Sequence, residues 1–274
     1  MNHRSLAAAT LVAVTLVLGA QAAGGGAEVT IPGRLYAPGE LDALAGQTIT
    51  WRNTDSKSHT VTEDDDAFDS GSIAPGSTFS RTFASTGTFT YHCTIHRSMR
   101  GVVRVYSVIL TRPPRALPPA WAVSLRGVSP VPGGAVVLER VGGGTVAQTT
   151  AAADGSFAFG LRPSQPAAYR ARAADAWSPV LRLSVKPNVA VTVSGRSVSV
   201  STAPARAGSR VLLQIYDRYR FDWVTVETGT LSPASRATLR LPSGSLRARI
   251  LVSGRDGWAD GVSRTLLLRL PRQR

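Results

Sequence analysis

Side chains that bind soft metals or carry redox chemistry are nearly absent from this 274-residue chain. It has one cysteine, Cys93, and two methionines, of which one is the initiator Met1. Of its four histidines, His3 lies in the opening residues, His59, His92 and His96 follow, and none comes after His96. A single cysteine excludes an internal disulfide, so the thiol either pairs with another chain or has chemistry to do. Lysine is scarce too: Lys57 and Lys186 are the only two, and arginine supplies the rest of a net charge of +14. A GC-rich genome accounts for that bias without any function. No segment beyond the first two dozen residues is long and apolar enough to cross a bilayer.

The charge is uneven. Residues 23–107 carry seven Arg/Lys and nine Asp/Glu, whereas residues 108–274 carry twenty-three and eight. A basic half prompts a nucleic-acid reading. Here the arginines are spread over alternate strand positions and no nucleic-acid motif occurs, so no nucleic acid is expected as a partner. Attraction of the basic half to an anionic cell-envelope surface fits the charge better, with plain solvated faces as the default. The run Glu63-Asp64-Asp65-Asp66 reads as a solvated loop, with a docking patch for a basic redox partner as the alternative.

Residues 1–22 read as a secretory signal. Arg4 gives the positive start, Leu6 to Leu18 the apolar core, and Ala20-Gln21-Ala22 a small-x-small cleavage site. No cysteine stands near that site, which excludes a bacterial lipoprotein anchor. The expected location is secreted or extracytoplasmic, at a bacterial cell envelope, with no transmembrane segment in the mature chain.

What is there converges on one stretch. Tyr91-His92-Cys93-Thr94-Ile95-His96-Arg97-Ser98-Met99-Arg100-Gly101 holds the cysteine, two histidines and the internal methionine. With His59 upstream, the chain can assemble two imidazoles, one thiolate and a weak thioether, the donor set of electron-transfer copper. Cys93, His96 and Met99 would come from one tight loop and His59 from a neighbouring strand end. Strand alternation turns His92 to the face opposite Cys93, so His92 is left out. Structural zinc prefers four strong N/S donors, and a thioether is a poor one. A nucleophilic Cys-His pair lacks a recognisable third, orienting residue.

Phe89 to His96 and Met99 to Val105 resemble the copper loop and last strand of the plastocyanin/azurin family of cupredoxins, with an amicyanin-like short loop. Thr48 to Asn53 followed by His59-Thr60-Val61 is similar to the strand that leads to the family's first histidine. Asp69-Ser70-Gly71, Pro75-Gly76-Ser77 to Phe83, and Gly87 also fit its pattern. The resemblance covers about residues 28–107. It implies one mononuclear type 1 copper on His59, Cys93, His96 and axial Met99, cycling between Cu(I) and Cu(II). It also implies a redox protein partner reached through the exposed edge of His96, bordered by Arg97, Ser98 and Arg100. Thr60 stands where the family usually has an asparagine that ties the two ligand loops, and is expected to tie them less well. Ile95 stands where a proline is usual.

The expected architecture is all-β. A Greek-key cupredoxin sandwich (28–107) leads to a Pro-rich linker (108–119) and two Ig-like sandwich modules (120–187 and 188–274). The modules show as a repeat: Gly134–Arg140 matches Gly208–Gln214, Ser156–Pro163 matches Ser235–Pro242, Tyr169–Arg172 matches Leu246–Arg249, and Ser178–Val185 matches Ser263–Leu270. Short alternating strands with Gly, Pro and Ser turns carry the Ig-like reading. No catalytic constellation appears, so the chain is read as a carrier and not an enzyme. The alternative is copper capture or delivery at the envelope without a redox partner. A multicopper oxidase or nitrite reductase would need further copper centres, which this chain lacks the histidines to build.

Overall fold

A computed structural model describes residues 27–270; the leader expected over 1–22 lies outside them. The described residues form strands and turns, with no helix among them. Eight strands make up the first unit: β1 (Ala27–Gly33), β2 (Leu35–Ala37), β3 (Glu40–Leu44), β4 (Thr48–Asn53), β5 (Thr62–Glu63), β6 (Thr78–Thr82), β7 (Gly87–His92) and β8 (Arg100–Tyr106). They form two four-stranded sheets, in the orders β2-β1-β4-β6 and β3-β8-β7-β5. The β1/β4 and β3/β8 pairs are parallel and the others antiparallel.

Period-two alternation explains the layering. In β4, Ile49, Trp51 and Asn53 are buried while Thr48 and Thr50 face outward and meet Thr82 and Ser80 across the strand pair, hydroxyl to hydroxyl, at 2.7 and 2.8 Å. In β8, Gly101, Val103 and Val105 point inward. Trp51 is fully buried among Phe68, Phe79, Phe83 and Tyr91, and its burial contributes about 1.5–3 kcal/mol or more. Gly101 has a specific task. A Cβ there would lie 2.3 Å from the Tyr91 ring, so only glycine leaves that ring its seat two residues before Cys93.

Sixteen further strands follow. The first eight are β9 (Ile109–Thr111), β10 (Val123–Val128), β11 (Ala135–Arg140), β12 (Gly144–Thr150), β13 (Ser156–Leu161), β14 (Ala167–Ala173), β15 (Ala176–Trp177) and β16 (Leu181–Leu183). The second eight are β17 (Asn188–Ser194), β18 (Ser197–Ala203), β19 (Arg210–Asp217), β20 (Asp222–Thr230), β21 (Arg236–Arg240), β22 (Gly244–Val252), β23 (Gly261–Val262) and β24 (Leu266–Leu270). Their topologies are the same. Sheet β13-β10-β9 corresponds to β21-β18-β17, and sheet β12-β11-β14 with β15 and β16 corresponds to β20-β19-β22 with β23 and β24. Each set encloses its own apolar cluster, separate from that of the first unit.

The repeat extends to single hydrogen bonds. Ser178 Oγ accepts from the Ala171 N–H at 2.9 Å and donates to the Pro179 carbonyl. Ser263 Oγ accepts from the Ile250 N–H at 2.9 Å and donates to the Arg264 carbonyl.

The expected linker is shorter than 108–119. Val108 is fully buried in the second cluster, and Ile109–Thr111 pairs with β10 because Val108 and Leu110 alternate inward like any edge strand. Leu117 then donates to the Ser184 carbonyl and accepts from the Lys186 N–H, which docks the Pro-rich run onto the strand beside it.

Candidate metal centre

His59 comes from the connection between β4 and β5 and the Cys93–Met99 loop from that between β7 and β8, and short polar contacts fix both. His59 forms an isolated antiparallel bridge with Ile73, donating its N–H to the Ile73 carbonyl at 3.2 Å and accepting in return at 2.8 Å. The turn before it is organised by fully buried Asn53, which donates to the carbonyls of Lys57 (2.8 Å) and Ile73 (2.9 Å) and accepts from the Asp55 N–H (3.0 Å). The Cys93 loop closes on itself: the Cys93 N–H reaches the Met99 carbonyl at 3.3 Å, and the Met99 N–H reaches the His96 carbonyl at 2.9 Å.

The three strong donors lie together. The ligand atoms of His59, Cys93 and His96 are all within 4.8 Å of one another. Cys93 Sγ is 3.9 Å from His59 Nδ1 and 3.8 Å from His96 Nδ1, and the two imidazole rings are tilted with centroids 4.7 Å apart. His59 and Cys93 are fully buried, Met99 is 1% exposed, and His96 keeps a partly exposed edge.

The tautomer of His59 follows from its partner. Asp55 Oδ2 lies 2.9 Å from His59 Nε2. The hydrogen bond from that ring, followed by one from the Ser56 N–H, holds the Asp55 carboxyl below its ordinary range, so it is ionised and can only accept. The proton therefore sits on Nε2 and the Nδ1 lone pair faces the sulfur. The His96 imidazole is held below its ordinary pKa by burial first, then by His59, Arg34 and Lys57, against the pull of Asp55. The His96 ring is thus favoured in its neutral form, with Nδ1 toward Cys93 Sγ.

Thr60 joins the two halves. Its N–H donates to Cys93 Sγ at 3.3 Å, and its hydroxyl accepts from the Thr94 N–H at 2.8 Å and meets the Thr94 hydroxyl at 3.2 Å. The expectation of a loose tie is corrected: the shorter threonine spans the gap because the loops approach closely. Buried Tyr36 donates to the Thr60 carbonyl at 2.6 Å and packs edge-on against Tyr91 at 4.8 Å. Burial raises its hydroxyl pKa, with Cys93 and Tyr91 adding to it, so it stays a donor.

His92 points away from the cluster, toward Asp64 at 2.6 Å, as strand alternation requires. Asp64 also binds Arg100 at 3.1 Å, and buried Glu63 accepts the N–H groups of Asp65 and Ala67. Half of the acidic run is thus structural and not merely solvated. Sequence reasoning missed Asp55, Asn53 and Tyr36. An acid four residues before His59 was the one available signal, and nothing local marks Tyr36.

The donor set fits copper: one soft thiolate, two imidazoles and a buried thioether in the same loop, with too few strong donors for structural zinc. A family model described as "Cupredoxin-like domain" matches residues 5–105. Over 102 residues the chain is 32% identical to amicyanin from Paracoccus denitrificans, covering 35% of this chain and 78% of that protein. It is 31% identical over 84 residues to plastocyanin from Scenedesmus fuscus, covering 26% of this chain and 86% of that one. A purple cupredoxin of known structure from Nitrosopumilus maritimus is 30% identical, with 29% of this chain and 98% of that chain covered and a TM-score of 0.28. Copper is the cofactor of these proteins' family, and through its N-terminal unit this chain belongs to the cupredoxins.

Proposed function

We propose that this chain is an exported electron carrier in which His59, Cys93, His96 and Met99 would hold one copper ion. The observation that carries the reading is the placement of two imidazole Nδ1 atoms beside one buried thiol, 3.9 and 3.8 Å from Cys93 Sγ. Copper supplies a one-electron Cu(II)/Cu(I) couple when bound.

The chain's own residues do the rest. Burial of Cys93 keeps water and oxidants from the thiolate. Asp55, Asn53, Thr60 and Tyr36 hold the donors through bonds that need no metal, so the donors need little rearrangement when the site changes charge. The partly exposed edge of His96 gives an electron its way in or out, and exposed Arg97, Ser98 and Arg100 border the surface where a redox protein docks. The first unit (28–107) is the copper carrier. The two β-sandwiches after it are Ig-like modules whose basic charge draws the molecule to an anionic surface of the cell envelope.

The test is the visible absorption and EPR spectrum of the full chain after Cu(II) addition, beside Cys93→Ser. An intense thiolate-to-copper band that disappears in the variant supports the carrier. A colourless protein that takes zinc equally well removes it. Fast release of copper to a chelator in stopped flow would point instead to capture or delivery.

A further inference from the structure

The two C-terminal sandwiches share one topology, and they part company at one hairpin. In the first, β11 and β12 shift register between Leu138 and Glu139 and finish at the Arg140–Gly144 pair, turning through Val141, Gly142 and Gly143. In the second, β19 and β20 shift register at the matching place, between Leu213 and Gln214, and continue through Ile215–Val224 to Tyr216–Trp223 and Asp217–Asp222. The second hairpin is two residue pairs longer, roughly 7 Å of added reach. It turns through Arg218, Tyr219, Arg220 and Phe221. The fold does not require this extension, since the first copy closes with glycines.

What has been added is aromatic rings and arginine, with two aspartates that serve the turn. Tyr219 is 94% exposed and Phe221 80%. Asp217 accepts the N–H groups of Tyr219 and Arg220, and Asp222 accepts that of Trp223. Behind the tip, Tyr216 and Trp223 meet edge to face at 5.5 Å, and Arg247 and Arg249 of β22 lie over them at 4.8 and 4.3 Å. Arg218 and Arg220 therefore stand at the tip and Arg247 and Arg249 behind it, while the two carboxylates cap the turn, Asp217 also pairing with Arg220 at 3.7 Å. Phe221 is held at φ 53°, in the left-handed region that Gly142 and Gly144 occupy in the shorter hairpin. A bulky side chain is disfavoured there, so the ring is kept against the preference of its own backbone.

Two large rings held in water at a protruding, arginine-flanked tip match the interfacial zone of an anionic bilayer. Aromatic rings settle at headgroup depth, and guanidinium groups pair with phosphates. A soluble polyanion would engage the arginines and leave the rings in water. We propose that the β19–β20 hairpin is a foot that seats the chain on membranes containing anionic phospholipid, with Tyr219 and Phe221 entering the headgroup layer between their arginines. This rests on the envelope-facing reading of the basic modules and narrows it to one hairpin and one occupant.

The experiment is co-sedimentation of the full chain with vesicles of phosphatidylcholine alone and of equal parts phosphatidylcholine and phosphatidylglycerol. Wild type is compared with Tyr219→Ser/Phe221→Ser and with Phe221→Trp. Wild type and Phe221→Trp are expected on the phosphatidylglycerol vesicles, and the double serine variant is expected to bind on the order of tenfold more weakly. If the double variant binds as tightly as wild type, the hairpin is not the seat although the envelope reading stands. Wild type that ignores both vesicles but is retained on immobilised polyglutamate overturns the lipid assignment in favour of a polymer. Wild type retained on neither removes this proposal and the envelope reading together.

Discussion

The backbone N–H of Thr60 points at Cys93 Sγ from 3.3 Å, while the Thr60 hydroxyl takes the N–H of Thr94, the residue after that cysteine. One threonine therefore grips the sulfur and its loop at once, from the connection that leads into β5. A donor aimed at sulfur steadies its position, which is what a soft metal needs from its surroundings.

Thr60→Ala should cost about 1–3 kcal/mol, because it strips the part-buried Thr94 N–H of its acceptor. Denaturant unfolding of the metal-free chain measures this. Thr60→Asn should keep most of the stability, since its amide oxygen can take over the bond. Equal midpoints for wild type and Thr60→Ala would show that the tie contributes nothing.

Asp55→Asn should weaken metal binding by roughly 10- to 100-fold, since the group that fixes the His59 tautomer is lost. A pH signature accompanies it. Asp55 is held below its ordinary value of 3.8 by His59 and Ser56, so its contribution to stability is complete above that value. It is then lost as pH falls toward the lower folded value. The stability gap between wild type and Asp55→Asn should accordingly close below about pH 4. A gap that stays constant down to acid pH would rule out this origin.

His96 should resist protonation. Its pKa is held below 6.5, so protons compete for the ring only at more acidic pH than for a free histidine. The corresponding stability is present above 6.5 and fades as pH drops through the folded value. In an NMR titration of the metal-free chain, the His96 ring is expected to stay neutral until the pH falls below the ordinary histidine midpoint. A ring midpoint at or above 6.5 would contradict it.

Gly101→Ala should destabilise the first unit by about 1–3 kcal/mol, because the new methyl lands on the Tyr91 ring. Since Tyr91 stands two residues before Cys93, the copper band of the loaded protein should shift as well. A shift without loss of stability would mean the ring moves aside freely.

Ser178→Ala and Ser263→Ala should each cost about 1–3 kcal/mol, and similar amounts, because each leaves one buried strand N–H without its acceptor. Calorimetry on the two variants decides this. Strongly unequal losses would mean that the duplicated topology hides different energetics.

The gathering of His59, Cys93 and His96 was legible because their residue types are so rare here: with one cysteine and few histidines there was little else to assemble. Alternation correctly put His92 outside, and the C-terminal repeat showed in the spacing of its strands. The supporting polar residues were not legible. Tyr36 and Asn53 act through contacts 24 and 20 residues apart, and Asp55 through a turn geometry that only the folded chain displays. The acidic run misled for a related reason, since Glu63 and Asp64 find their partners through the fold, in a turn and across the sheet. Proline-rich composition suggested a spacer over 108–119, but two inward-facing residues near its start were enough to make a strand.

The first core ends its last strand at Tyr106, and the second core begins at Val108. That leash is a residue or two, no more than about 7 Å of chain. The tether leaves the first unit at the end of β8 that lies farthest from the Cys93–Met99 loop, roughly 20 Å of strand away. The neighbouring sandwich is therefore fastened to the pole that does not carry His96.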